Sequence, residues 1–194
     1  MVSLKILVSG LAGTGKTTLC RRLASEFELE YYSGGDALKE VASRLGYKVS
    51  QVGWWESEEG LRFLRERRER LELDREVDRH LLMKVKAASS IVVDGWALPY
   101  LYDGKDAVKV FLKGELEVRA ERVARRDGIT VSEALEAIRR KEEMTREIYR
   151  ELYGFTIGRD LEPFNLVVDT SRLTADQVFY IVKSYIQYFF ERDS

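Results

Sequence analysis

Residues 10–18 read Gly10-Leu11-Ala12-Gly13-Thr14-Gly15-Lys16-Thr17-Thr18. The spacing G-x-x-x-x-G-K-[ST] is that of a P-loop, in which glycines let successive backbone N–H groups turn inward around a polyphosphate. In such a loop the lysine, here Lys16, reaches the β- and γ-phosphates, and the hydroxyl of Thr17 ligates Mg²⁺. The stretch therefore predicts a binding site for a nucleoside triphosphate with its magnesium ion.

Predicted strands and helices surround this loop in the order that a P-loop requires. Leu4–Ser9 is an apolar run typical of a strand, and Lys16–Phe27 has apolar residues at helical spacing. Helical patterns separate four further short apolar runs, three of which are rich in Val or Ile, and this alternation indicates βαβ units. These runs are Leu29–Ser33, Ile91–Asp94, Val108–Leu112 and Leu166–Asp169. The sequence thus predicts a doubly wound α/β fold around a five-stranded parallel sheet flanked by helices, with ligands beyond the carboxyl ends of the strands.

The composition favours one domain that spans residues 1–194. A net charge of −1 with 34% charged residues is a mixed surface, unlike the basic footprint of a nucleic-acid-binding protein. The single cysteine, Cys20, cannot form an internal disulfide, and we expect it in the core. Met1-Val2-Ser3-Leu4 lacks the features of a secretory leader, and no apolar stretch is long enough to cross a bilayer. We therefore expect a cytoplasmic protein without nucleic-acid or membrane partners.

The region 56–87 is long, highly charged and helical in its pattern. We predict two helices there, with a break near Leu71-Glu72-Leu73-Asp74. Most of the charged residues at 65–70 are expected on a solvated face. One or two of them are expected to face a pocket for the phosphate acceptor.

Two capping patterns mark the starts of later helices. Thr130-Val131-Ser132-Glu133 matches a capping box ahead of a helix that runs to about Tyr153. Thr174-Ala175-Asp176-Gln177 has the same form ahead of the last helix. The apolar stripe of that helix either packs on the sheet or forms a dimer surface, so a monomer or a homodimer is expected.

A cluster of arginines follows the fourth predicted strand. Arg119, Arg122 and Arg126 lie at i, i+3 and i+7, on one face of a helix, and they repel each other unless anions lie between them. They either pair with nearby glutamates or belong to a mobile lid that closes over the transferring phosphoryl group and excludes water. A second cluster, at 139–150, either returns from this lid or is helix surface. The nearby glutamates are Glu115, Glu117 and Glu121.

The remaining motifs favour phosphoryl transfer to a small molecule. A switch GTPase needs an Asn/Thr-Lys-x-Asp segment to read guanine, but the sole asparagine lies in Phe164-Asn165-Leu166. Phosphoryl transfer needs Mg²⁺ and several convergent cations. The arginine cluster can supply those cations.

Several short motifs occur in the order and at the spacing of one known family. They are Ser33-Gly34-Gly35-Asp36-Ala37-Leu38-Lys39, Leu73-Asp74-Arg75-Glu76-Val77-Asp78-Arg79, Val93-Asp94-Gly95, Tyr149-x-x-x-Tyr153-Gly154-Phe155 and Leu166-Val167-Val168-Asp169-Thr170-Ser171. Together with the P-loop, they make the chain, nearly end to end, similar to the nucleoside monophosphate kinases, and above all to the archaeal-type cytidylate kinases. The resemblance implies a P-loop kinase with a helical acceptor-binding insert at about 34–87 and a lid at about 119–150.

The resemblance also implies roles for individual residues. Residues Gly10–Thr18 would bind ATP, Thr17 and Asp94 would place Mg²⁺ directly or through water, and two arginines would flank the adenine and the phosphates. The implied catalytic residues are Lys16, Asp94, Arg122 and Arg126. The implied acceptor-binding residues are Ser33, Asp36, Lys39 and Asp74.

The chain departs from the family pattern at several cationic positions. Lys39 replaces an arginine that grips the acceptor phosphate, which keeps the charge but loses the bidentate fork. The loop after Asp94-Gly95 reads Trp96-Ala97-Leu98-Pro99 where the family has an arginine. Lys141 and Ile148 stand where the family has two arginines of the lid. These changes put the identity of the acceptor in question, while the phosphoryl-transfer chemistry is unaffected.

We expect phosphoryl transfer from Mg-ATP to a nucleoside monophosphate, with CMP first and dCMP or UMP next. One alternative is a P-loop kinase with another small acceptor, such as a nucleoside or a coenzyme precursor. The other is a nucleotide-binding protein without kinase turnover, whose lid helices contact a partner. The tryptophans are expected in the core, with stacking on a base as the alternative, and the only histidine is expected on the surface. These residues are Trp54, Trp55, Trp96 and His80.

Overall fold

The computed structural model of the protein describes residues 4–50 and 53–191, and it contains the predicted five-stranded parallel sheet. The strand order is β2-β3-β1-β4-β5, and every pair of neighbours is parallel. The central strand β1 is buried along its whole length, because helices cover both faces of the sheet. The strands are β1 Lys5–Gly10, β2 Tyr31–Ser33, β3 Ile91–Asp94, β4 Ala107–Lys113 and β5 Leu166–Asp169. The predicted doubly wound fold is confirmed.

Helices connect these strands in the predicted order. The helices are α1 Lys16–Glu26, α2 Gly34–Arg44, α3 Glu58–Glu69, α4 Glu72–Ala87, α5 Leu98–Leu101, α6 Leu116–Asp127, α7 Val131–Tyr153 and α8 Ala175–Glu191. The two helices predicted in region 56–87 are present, but the break falls at Arg70-Leu71 because Arg70 has left the helical region (φ −126°, ψ 73°). Asp74 therefore lies in the first turn of α4 instead of in the break.

Two apolar layers enclose the sheet. One is formed mainly with α2, α3 and α4, and the other with α1 and α8. The apolar stripe of α8 packs on the sheet, with Val178, Val182 and Ile186 almost fully buried, so the first of the two expectations for this stripe is confirmed. Whether the protein is a monomer or a homodimer stays a prediction. Cys20 is fully buried in the same layer, as expected.

The capping box of α7 forms as predicted. The hydroxyl of Thr130 accepts a hydrogen bond from the Glu133 N–H, and the Glu133 carboxylate accepts one from the Thr130 N–H. The helix ends at Gly154, whose positive φ of 81° favours glycine.

No helix in residues 4–50 and 53–191 combines the length and the apolarity that a bilayer-spanning segment needs. Met1, Val2 and Ser3, for which the sequence predicts no leader, lie outside the described residues.

Candidate active site

The P-loop joins the end of β1 to the start of α1, as the sequence predicts. A Cβ atom on Gly10 would lie 2.3 Å from the carbonyl oxygen of Leu112, so only glycine allows β1 and β4 to approach this closely. Gly15 has a positive φ of 89° and turns the chain into α1. The loop thereby presents the N-terminus of α1, with its unpaired N–H groups, at the carboxyl edge of the sheet.

The Lys16 ammonium lies at the centre of this edge. It donates hydrogen bonds of 2.8 Å to the carbonyl oxygens of both Gly10 and Leu11, and it lies 5.0 Å from the centroid of the Trp96 ring. Burial lowers the pKa of Lys16 to about 8, although the negative charges of Asp94 and Glu142 oppose this shift.

Asp94 ends β3 beside the start of α1. Its carboxylate accepts hydrogen bonds from the hydroxyl groups of Tyr31, at 2.8 Å, and Thr17, at 3.2 Å. Burial raises the pKa of Asp94, and these hydrogen bonds partly offset the shift. A carboxylate and a hydroxyl next to a phosphate-binding loop are the hard oxygen ligands that Mg²⁺ prefers, so this pair fits a magnesium site.

A buried ion pair braces the P-loop from the helices α6 and α7. The Glu142 carboxylate accepts hydrogen bonds from the Ala12 N–H at 3.0 Å and from Arg119 at 2.5 Å, and Arg119 also donates to the Ala12 carbonyl oxygen at 2.9 Å. Both side chains are about 5% exposed. Arg119 thus pairs with a glutamate 23 residues away, instead of with Glu115, Glu117 or Glu121, and it holds the P-loop backbone instead of lining the cavity.

Replacing Glu142 by glutamine tests this brace. The variant leaves the buried charge of Arg119 without its counter-charge, and we expect the free energy of unfolding to fall by about 3–5 kcal/mol. Denaturation by urea measures the change. Glu136→Gln is a matched control on the same helix, because Glu136 pairs with Arg140 at the exposed surface and such pairs contribute less than about 1 kcal/mol. If both variants lose the same free energy of unfolding, the buried pair of Arg119 and Glu142 does not stabilise the P-loop in the way described.

Arg122 and Arg126 line a cavity that opens in front of the P-loop. Arg122 donates to the hydroxyl of Thr170 at 2.9 Å and to its carbonyl oxygen at 2.6 Å, which ties α6 to the end of β5. Arg126 pairs with Asp127 and lies 3.5 Å from the carboxylate of Glu56. These hydrogen bonds and ion pairs fix the positions of both guanidinium groups.

This cavity has a volume of about 710 Å³ and joins the P-loop to the helical region 34–87. Three of the implied acceptor-binding residues, Ser33, Asp36 and Lys39, line it. The hydroxyl of Ser33 also caps α2 by accepting a hydrogen bond from the Asp36 N–H. Asp74 does not line the cavity: it is 1% exposed and pairs with Arg67.

Charged and aromatic groups complete the lining of the cavity. Arg67 lines it, in agreement with the expectation that one or two of the charged residues at 65–70 face a pocket. Lys141 and the indole ring of Trp55 also line it, and Glu56 adds a carboxylate for which the sequence predicts no role. The Lys141 ammonium lies 4.6 Å from the centroid of that ring. Burial lowers the pKa of Lys141 to about 8, and the cations Lys16, Arg126 and Arg67 lower it further against the charge of Glu56.

The tryptophans divide between the core and the cavity. Trp54 is 2% exposed in the core, as expected, whereas Trp55 and Trp96 are half-buried at the cavity wall. Both rings also pack against the edges of apolar clusters, so the core expectation is confirmed in full only for Trp54, and stacking on a base stays the alternative for Trp55 and Trp96. His80 is exposed on α4, as expected.

The sheet order, the P-loop and the cation-lined cavity together define a P-loop kinase of small molecules. The shikimate kinase from Bacteroides thetaiotaomicron has this fold at 16% sequence identity, with a TM-score of 0.52 over 95% of this chain and 98% of that chain. A gluconokinase from Sinorhizobium meliloti 1021 is 19% identical, with a TM-score of 0.54 over 98% of this chain and 95% of that one.

Within that class, the chain belongs to the cytidylate kinase-like family, whose model matches residues 5–172. A cytidylate kinase of Pyrococcus furiosus is 37% identical over 185 residues, which cover 95% of this chain and 89% of that protein. A cytidylate kinase of Pyrococcus abyssi is 35% identical over 189 residues, which cover 97% of each protein. The resemblance drawn from the sequence motifs is confirmed.

Proposed function

We propose that the protein transfers the γ-phosphoryl group of Mg-ATP to a nucleoside monophosphate, with CMP as the preferred acceptor and dCMP and UMP next. The observation that carries the proposal is the continuous cavity that joins the P-loop to the region 34–87. One wall presents the donor site, and cations from α3, α6 and α7 converge between the walls. A cytoplasmic location, where both nucleotides are present, is part of the proposal.

In this reaction an oxygen atom of the acceptor phosphate attacks the γ-phosphorus of ATP, and ADP leaves with the electron pair of the broken bond. The N–H groups of the P-loop and the Lys16 ammonium hold the donor phosphates. Arg122 and Arg126 stabilise the charge of the transition state, and Lys141 adds a further cation. Magnesium, held by Thr17 and Asp94, would neutralise phosphate charge. Closure of the helices around the cavity excludes water, which prevents hydrolysis of ATP.

A second acceptor class is favoured by one observation. The loop 96–99, where the family resemblance implies an arginine for the acceptor phosphate, carries no cation and lines the cavity with Trp96. A loop without charge fits a neutral acceptor, such as a nucleoside or another small alcohol, better than it fits a phosphate.

Measurement of ADP production from Mg-ATP distinguishes these functions. The acceptors CMP, dCMP, UMP, AMP and GMP are tested in turn, next to cytidine and a blank without acceptor. Stimulation by CMP above the other acceptors supports the proposal. Stimulation by cytidine alone favours the neutral acceptor, and binding of Mg-ATP without stimulation by any acceptor overturns the kinase activity.

The two lysines of the cavity should determine the alkaline pH dependence of the reaction. Lys16 and Lys141 both have pKa values lowered to about 8 by burial. A neutral amine cannot stabilise phosphate charge, so kcat/KM for ATP, which reports the free enzyme, should fall above pH 8. Because two groups lose protons in this range, the fall should exceed about tenfold per pH unit.

Lys141→Arg separates the two lysines, because a guanidinium stays protonated throughout this range. In this variant only Lys16 titrates, and the fall should be at most about tenfold per pH unit. Lys105→Arg, at an exposed position, should keep the profile of the wild type. Identical alkaline limbs in the wild type and in Lys141→Arg would refute the role of Lys141.

A further inference from the structure

Arg67 is an unusual arginine, because it lies within a run of charged residues on α3 and is nevertheless 2% exposed. Its guanidinium pairs side-on with Asp74 of α4: Nε donates to Oδ2 at 2.9 Å and Nη2 donates to Oδ1 at 2.6 Å. Asp74 is itself fully buried. Such a bidentate pair fixes the plane and the direction of the guanidinium.

The pair with Asp74 leaves part of the guanidinium for a ligand. A guanidinium has five N–H donors in a rigid fork, and the two bonds to Asp74 use Nε and one N–H of Nη2. Within residues 4–50 and 53–191, Asp74 is the only carboxylate within 4.0 Å of Arg67. Because Arg67 lines the cavity, it combines a fixed orientation with access to the bound acceptor.

The neighbours of Arg67 place it at the phosphate end of the acceptor instead of the base end. Its Cζ atom lies 6.0 Å from the centroid of the Trp55 ring, and Lys141 lies 4.6 Å from the same ring. The ammonium of Lys141 in turn interacts electrostatically with both Arg67 and Lys16 of the P-loop. The acceptor phosphate must lie next to the donor γ-phosphate, and this chain of cations leads from one phosphate to the other.

Two positions at which the family resemblance implies an arginine carry no cation in this chain. The loop 96–99 is uncharged, and Ile148 of α7 is an apolar residue buried in the core, away from the cavity lining. Arg122 is tied to Thr170, and Arg126 is tied to Asp127. Among the described residues, four arginines line the cavity: Arg21 lies on α1, Arg122 and Arg126 lie on α6, and Arg67 alone lies in the region 34–87, where the acceptor is expected.

We propose that Arg67, oriented by Asp74, binds the phosphate of the acceptor nucleotide and so makes the enzyme select a monophosphate over the corresponding nucleoside. This role rests on the proposed function. Asp74 is then a positioning residue that does not touch the acceptor.

The test compares the binding of CMP with that of cytidine, in the absence of ATP, by isothermal titration calorimetry. Arg67→Gln alone leaves the buried charge of Asp74 uncompensated and is prone to unfold, so the main probe is the double variant Arg67→Gln/Asp74→Asn, which removes both charges. We expect its dissociation constant for CMP to rise about 100-fold, as for other truncated buried charge contacts. The dissociation constant for cytidine should change less than about threefold, because cytidine has no phosphate group that Arg67 could bind.

Arg65→Gln is the matched control, since Arg65 is exposed on the same helix, and it should change neither constant. An unchanged dissociation constant for CMP in the double variant, or equal losses for CMP and cytidine, would overturn the role of Arg67 while the proposed function stands. Failure of the wild type to bind CMP would overturn the proposed function together with this role. Unchanged binding of Mg-ATP by the double variant verifies that its P-loop is intact.

Discussion

Lys16→Ala should lower kcat by about 10³-fold or more, the range over which a cation on the transferring phosphoryl group acts in P-loop enzymes. The variant loses the ammonium that we propose to hold the donor phosphates, and residues 10–18 contain no other cation. It should remain folded. The ammonium is buried with a lowered pKa, so removing it relieves a cost of burial that offsets the lost hydrogen bonds to Gly10 and Leu11.

The measurement pairs steady-state kinetics with thermal unfolding. Lys105→Ala removes an exposed lysine and should leave both kcat and the unfolding temperature unchanged. Retained activity in Lys16→Ala would refute the assignment of residues 10–18 as the donor site. A large drop in the unfolding temperature would instead attribute the lost activity to lost structure.

Asp94→Asn should lower kcat by about 10²–10³-fold, as does the loss of one preorganised electrostatic group in other active sites. Asparagine keeps the shape of the side chain and can still accept hydrogen bonds from Thr17 and Tyr31, but it lacks the charge that would hold magnesium. The concentration of Mg²⁺ needed for half-maximal activity should therefore rise.

Although Asp94→Asn should lower kcat, it should not destabilise the folded protein. Burial raises the pKa of Asp94, which means that the folded state favours the neutral form of this side chain. A neutral asparagine is then accommodated at least as well as the carboxylate at pH 7, and the unfolding temperature should not fall. Tyr31→Phe is the matched control, because it removes the 2.8 Å hydrogen bond to Asp94 but keeps the carboxylate. If kcat is lower in Tyr31→Phe than in Asp94→Asn, the hydrogen bond from Tyr31 matters more than the negative charge of Asp94, and the role of that charge is refuted.

The sequence predicts the framework well because its signals are local. The P-loop, the five strands and the capping box of α7 depend on residues that are neighbours along the chain. The partner of Arg119 is not predictable in this way. Three glutamates lie within one or two helical turns of Arg119, but the side chain reaches Glu142 on the next helix.

Burial of a charged residue does have a local signal, although a weak one. On α3, Phe63, Leu64 and Arg67 lie at i, i+1 and i+4, so Arg67 continues the apolar stripe of that helix. On α7, Glu142 follows Ile138 by one turn and is buried with it. A charged residue within an apolar stripe thus marks a buried ionic contact, while the identity of the partner requires the fold.

The adjacency of Lys141 and Glu142 limits how the cavity can open. Lys141 faces the cavity, whereas Glu142 holds the P-loop backbone at Ala12. A swing of the whole of α7 would withdraw Lys141 only by breaking a buried ion pair and leaving two charges unsatisfied. We therefore propose that the middle of α7 stays in place, and that the movement of a lid is confined to the end of α6 and the first turns of α7. A short lid of this kind would admit and release nucleotides while the P-loop keeps its shape from one turnover to the next.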